Sequence, residues 1–292
     1  MDAINHTFRS YYQVTRPAIG FGWPAPLLPR VEWEEKDATV SKIRLSPGYP
    51  VKSFEQLVEV SARTGLSNTQ YEFFYRGQFE DHKDKNSKTV IYPAICRPDL
   101  DITGKPKASV KTATIEKRFE KLQEFISFSY KYQPSFVEHA YALIQHYEIM
   151  PTPLIDITQS LRVAASFALI DGAKQGYVYM FGLPYPHGSI SHFIDIGVTL
   201  IKLQNAVPHN ALRPRYQEGF LVGRLPFRPE KAVGDNLAKR LIGKFFLDDT
   251  EGGFWNDIFK PYPRELLFPE GDVQKDRMNR LYSEFTKHKR SK

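Results

Sequence analysis

From Val51 onward the alternation of apolar and polar positions is regular enough to place elements. Phe54, Leu57, Val58 and Val60 recur at helical spacing, Ser53 stands where an N-cap belongs with Gln56 three residues on, and the pattern runs out near Gly65. The run YEFFYRGQ, 71–78, is rich in aromatic residues and reads as a strand, and Thr89 to Pro93 as a second, shorter extended segment closed by its proline. A long helix follows from Thr112 to Tyr132, with Ile115, Phe119, Leu122, Phe125 and Ile126 on its buried stripe, and another from Ser135 to Tyr147.

Pro151 and Pro153 then stop helical structure, because each lacks a backbone donor and pushes the preceding residue out of the α region. Leu154 to Ile157 reads as a short buried strand carrying one charge, Asp156; Thr158 and Ser160 sit at the start of a helix whose face is small (Leu161, Ala164, Ala165, Ala168). GYVYMFGLP from Gly176 is a strand, Phe193 to Ile201 holds another strand or a turn, and YQEGFLV, 216–222, reads as a strand on which Gln217 and Glu218 face opposite sides. LAKRLIGKFFL and FWNDIFK carry helix-like spacing, and QKDRMNRLYSEFTKHK closes the chain as a helix with Met278, Leu281 and Phe285 on one side.

These elements predict an α+β fold in a single domain, a mixed or antiparallel sheet flanked by helices. Residues 1–50, with the Gly- and Pro-rich GFGWPAPLLPR, are expected to be an irregular N-terminal arm, and 51–292 the domain proper with a helical C-terminal part. The 292 residues, 41% hydrophobic and 14% aromatic, suffice for a large core. No apolar run reaches the roughly 18 residues of a membrane span and the N-terminus has no leader-like pattern, so a cytoplasmic location without membrane contact is expected.

The single cysteine, Cys96, rules out an internal disulfide framework and reads as a buried thiol; eight scattered histidines offer no metal-ligand spacing, so no metal is expected. A net charge of +7 is compatible with polyanionic partners but is spread along the chain and does not make it a nucleic-acid binder.

Candidate chemistry gathers at two places. Arg76, delivered by a strand with Gly77 beside it, is suited to a phosphate or carboxylate through its planar fork; bonding to loop carbonyls is the equally weighted alternative. The stretch 145–168 combines His146, Tyr147, Asp156, Thr158 and Ser160 at a helix, strand and helix junction, either as a polar pocket or as plain capping groups.

Taken together, FYRGQ at 74–78, IYPAICRP at 91–98, the QHY-x-x-x-PT-x-L-x-D-x-T-x-S pattern at 145–160, the Phe167-Ala168 ending, YQEGF at 216–220 and LLFPEGD at 266–272 resemble the FRG domain family. The resemblance spans roughly residues 50 to 285, with Glu148, Pro153 and Ile157 standing where the family commonly has Gly, Arg and an aromatic. Its motif order is similar to that of ADP-ribosyltransferases: an arginine on a first core strand, a Ser/Thr strand before a helix, and a Glu on a later strand. The resemblance therefore implies an NAD-dependent ADP-ribosyltransferase or NAD-cleaving enzyme, in a bacterial or phage toxin or defence setting. NAD is then the substrate, and a protein or nucleic-acid acceptor is left open. In that scheme Glu218, or Gln217, stabilises charge on the ribose; Arg76 with Gly77 holds the dinucleotide; Thr158, Ser160, His146 and Asp156 shape the site; and Tyr147 stacks on the ring. A non-catalytic ligand-binding or sensor domain using the same cleft is the alternative.

Overall fold

The computed structural model describes residues 39–66, 68–99, 110–130 and 136–291. Among these, the helices are α1 (Val40–Leu45), α2 (Phe54–Leu66), α3 (Thr112–Tyr130), α4 (Val137–His146), α5 (Leu161–Ala168), α6 (Leu203–Ala206), α7 (Arg213–Tyr216), α8 (Arg264–Leu267) and α9 (Val273–Arg290). The strands are β1 (Tyr49–Val51), β2 (Glu72–Gln78), β3 (Leu154–Thr158), β4 (Gln175–Leu183), β5 (Ile190–Phe193), β6 (Val198–Lys202), β7 (Gly219–Gly223) and β8 (Leu241–Asp248). They form one mixed sheet in the order β1-β8-β4-β2-β3-β7-β6-β5, in which only β1 and β8 run parallel. The fold is α+β, as the patterning predicts.

Strand alternation divides the core. Leu154, Ile201 and Leu221 point to the cluster built with α3, α4, α6 and α9, while Val178 and Met180 join the one under α2 and α5. Their strand neighbours Ile155, Ile157, Tyr179, Phe181, Leu200, Phe220 and Val222 form a third cluster on the opposite face, under α1 and the segment around Leu237.

Ser53 does cap α2: its Oγ accepts from the Gln56 amide at 3.1 Å, and Gln56 Oε1 accepts from the Lys52 amide at 2.9 Å. Helix α9 buries Met278, Leu281 and Phe285 as expected. The helix-like LAKRLIGKFFL is different: after a 3₁₀ turn at Leu237–Arg240 it becomes β8, an interior strand. Leu241 to Phe245 are all buried, so the run has no polar face whose spacing would report a period of two. Its Lys244 is accommodated because the ammonium donates to Ser46 O (2.6 Å), Asp81 Oδ2 (2.7 Å) and Thr89 Oγ1 (3.0 Å). FWNDIFK forms no helix; Trp255 and Phe259 pack on Phe54 instead. Thr89 to Pro93 joins no sheet and makes a single bridge, Thr89 to Lys83.

The irregular arm expected through residue 50 falls partly on residues 1–38, outside those described; residues 39–50 hold α1 and the start of β1. No described helix is long and apolar enough to cross a membrane.

Candidate functional site at the β2–β3 junction

Strand β2 pairs with β4 along all of its residues from Glu72 to Gln78, but with β3 only through Tyr75 and Thr158. Beyond that pair the two strands part. Arg76 fills the opening, its Nη1 donating to the main-chain oxygen of Asp156 at 2.6 Å, while its Nε is buried and has no acceptor among the described residues. The guanidinium thus replaces part of a missing ladder. Burial, then the charge of Arg97, lowers its pKa to about 10, which leaves it cationic at neutral pH.

The Asp156 carboxylate is held from α4: Gln145 Nε2 donates to Oδ2 at 2.7 Å and His146 Nδ1 lies 3.1 Å from Oδ1. Burial works to raise its pKa, yet the hydrogen bond and charge of His146, with Gln145 and Arg76, outweigh it and the net shift is downward. His146 is 1% exposed, its Nε2 has no partner among the described residues, and burial pushes its pKa below the ordinary value. With Nδ1 facing a carboxylate, the neutral ring carries its proton there. Gln145 also meets the Thr152 hydroxyl, and the Thr152 carbonyl accepts from the Ile95 amide at 3.1 Å, which docks the 93–97 loop against the mouth of the opening.

A second hydrogen-bonded group is built on Thr158 itself. Thr158 Oγ1 donates to the Glu218 carbonyl (3.2 Å) and accepts from the Ser160 amide (3.0 Å), and Ser160 caps α5 by accepting from the Val163 amide (3.4 Å). Glu218 is exposed, has φ +46°, and its carboxylate has no partner among the described residues. The expected alternation of Gln217 and Glu218 on a strand does not hold, because β7 begins at Gly219; Gln217 ends α7 and is buried with Nε2 on Leu267 O at 2.7 Å. Gln217 therefore does not compete with Glu218 for a ligand. Two other assignments are corrected. Gly77 opens the backbone to α5, not to a ligand: a Cβ there would stand 1.8 Å from Ala164 O. Tyr147 offers no ring face, being 4% exposed with its hydroxyl donating to both oxygens of Asp272 at 3.0 and 2.9 Å.

Arg76, His146 and Asp156 are thus joined by hydrogen bonds, as are Thr158, Ser160 and Glu218, and the two groups adjoin, since a Cβ on Gly219, the partner of Thr158, would stand 3.9 Å from His146 Cε1. Arg97, at the end of the docked loop, is a neighbour that the sequence patterning did not single out; its place in IYPAICRP was the available signal. Cys96 beside it is buried, and burial pushes its thiol up to about 12, well away from a nucleophile's range.

Among the described residues the molecule is therefore an α+β protein whose mixed sheet opens around a half-buried arginine. Residues 71–176 match the family model for the FRG domain. The match takes in FYRGQ, IYPAICRP and the 145–168 stretch but not YQEGF or LLFPEGD. No curated protein and no solved structure matches the chain.

Proposed function

We propose that the β2–β3 junction binds NAD and that the chain is an NAD-dependent ADP-ribosyltransferase or NAD-cleaving enzyme. The observation that carries this reading is Arg76, a cation set into the split between two core strands with donor capacity left over at Nε. A dinucleotide is extended, so one molecule laid over the Tyr75–Thr158 pair could present its negative phosphates to Arg76 and its nicotinamide ribose to the Thr158, Ser160 and Glu218 side. Rupture of the ribose–nicotinamide bond builds positive charge on the ribose, which an exposed, uncommitted carboxylate stabilises. Glu218 is such a carboxylate, and its left-handed backbone is the kind of strain that collects at functional positions.

A second reading, a sensor domain that binds NAD without cleaving it, is favoured by the exposure of Glu218, whose carboxylate is held by no neighbour among the described residues. Incubating purified protein with NAD and following free nicotinamide separates the two. Release that is lost in both Glu218→Gln and Arg76→Ala supports the enzyme. Binding of NAD that Arg76→Ala abolishes, with no release, supports the sensor. Absence of both refutes the dinucleotide reading.

A further inference from the structure

We propose that Arg97 is the second cation of a two-arginine site at this junction, and that the group recognised there is a diphosphate. The identity of the ligand rests on the dinucleotide reading above; the anion site itself does not require catalysis.

The placement follows from connected hydrogen bonds. The Ile95 amide donates to Thr152 O, Thr152 meets Gln145, Gln145 donates to Asp156 Oδ2, and the Asp156 carbonyl takes Arg76 Nη1. The loop bearing Arg97 is therefore fastened to the same strand end that Arg76 grips. Its backbone is fixed from below, since Arg118 Nη1 donates to Ile95 O at 2.9 Å and Arg97 O at 2.7 Å. Arg97 itself is exposed, with Nε donating to Tyr92 O at 3.0 Å, which anchors the stem of the guanidinium and leaves its terminal nitrogens for a ligand.

Charge decides the kind of ligand. Arg76 and Arg97 both act on Asp156, whose oxygens are already engaged by Gln145 and His146, and Glu148, the other carboxylate acting on Arg76, is held by Arg213 at 2.8 Å, which leaves three guanidiniums to two carboxylates. The junction has an excess of positive charge and of donors, so it takes an anion. A carboxylate or a single phosphate satisfies one planar fork, whereas a diphosphate offers one phosphoryl group to each arginine. The mutual influence of the two cations, visible in the lowering of Arg76 by Arg97, is relieved by such a dianion.

The test is calorimetric titration, at low salt, of inorganic pyrophosphate, orthophosphate, acetate and ADP-ribose into wild type, Arg97→Ala, Arg97→Lys and Arg76→Ala. Wild type should prefer pyrophosphate to orthophosphate by roughly tenfold or more, one additional charge-assisted pair being worth about that factor. Arg97→Ala should bring pyrophosphate down to the level of orthophosphate, and Arg97→Lys should fall between, keeping the charge and losing the fork. Because Arg97 is exposed, melting curves should coincide with wild type. The proposal is overturned if wild type shows no preference for pyrophosphate, or if Arg97→Ala binds it as wild type does. Arg97-dependent pyrophosphate binding without nicotinamide release would retain the anion site and remove the enzyme reading. Release unaffected by Arg97→Ala would do the reverse.

Discussion

At the scale of single residues, the two glutamates with left-handed backbone, Glu148 (φ +57°) and Glu218 (φ +46°), are the informative departures from local preference. A residue with a Cβ in this region costs roughly 1–2 kcal/mol, part of which glycine returns as chain entropy when it replaces it. Glu148 pairs with Arg213 at 2.8 Å, but its own side chain is 70% exposed, so that pair contributes little. Glu148→Gly should therefore be more stable than Glu148→Ala by about 1 kcal/mol, measured as a shift in urea midpoint at constant slope. At Glu218 the same change should stabilise by a similar amount and, on the proposed function, abolish nicotinamide release, so stability and activity would move in opposite directions. A release rate unchanged by Glu218→Gly would take the carboxylate out of the chemistry.

His146 belongs to this scale as well. Its folded pKa lies below the unfolded value, so below about pH 6.5 the unfolded chain binds a proton that the folded one resists, and stability falls as pH drops through that region. The depressed Asp156 acts further down, its stabilisation being lost only as pH falls below the ordinary carboxylate value. Between pH 7.5 and 5.5 the dependence from this pair is thus due to His146. Asn in its place can still donate to Asp156, and His146→Asn should flatten the stability curve in that window by up to about 1.4 kcal/mol per pH unit. Superimposable curves for the two proteins would show that His146 titrates normally.

At the scale of elements, the packing of α5 on the sheet explains why its residues are small. A Cβ on Gly77 would stand 1.8 Å from Ala164 O, and one on Gly176 2.3 Å from Ala168 O, so the helix backbone rests directly on β2 and β4. Gly77→Ala must lift α5 and should cost at least about 3 kcal/mol or prevent folding, which soluble yield and thermal melting would report. A melting temperature within a degree or two of wild type would mean the helix can slide. The same elements show what patterning could reveal. Helices α2, α3, α4 and α9 announce themselves because each has one apolar face, with Ser53 a proper start for α2, and strands β2, β3 and β4 because short aromatic or β-branched runs are bounded by a turn or a stop such as Pro184. Strand β8 did not, being buried on both faces. The start of β7 was misread for another reason: Tyr216, Gln217 and Glu218 suit a strand locally, but the short helix α7 and the left-handed turn after it consume them. Arg76, Asp156, Thr158 and Ser160 could be picked out by residue type, whereas the parting of β2 from β3 depends on long-range pairing that no local pattern encodes.

At the scale of the whole molecule, Asp272 ties the C-terminal helix to the helix that supports the junction. Its buried carboxylate caps α9 through the Gln274 amide (3.1 Å), accepts from the Leu212 and Arg213 amides (3.2 and 3.1 Å) at the start of α7, and takes the Tyr147 hydroxyl at the end of α4. Phe268, in the same LLFPEGD segment, lies under the guanidiniums of Arg213 and Arg264 at 4.6 and 5.2 Å. A motif remote in sequence from Arg76 thus sets the position of His146 and, through it, of Asp156. Removing the carboxylate strands three main-chain donors and a buried hydroxyl, so Asp272→Ala should cost about 3–5 kcal/mol. Tyr147→Phe removes one partner only, and should cost about 1–2 kcal/mol by urea denaturation. Because the Tyr147 ring is enclosed, that variant should also bind NAD, or pyrophosphate, as wild type does. If Tyr147→Phe instead weakened the ligand while leaving stability intact, the hydroxyl would be acting on the ligand and the core would have to open to admit it.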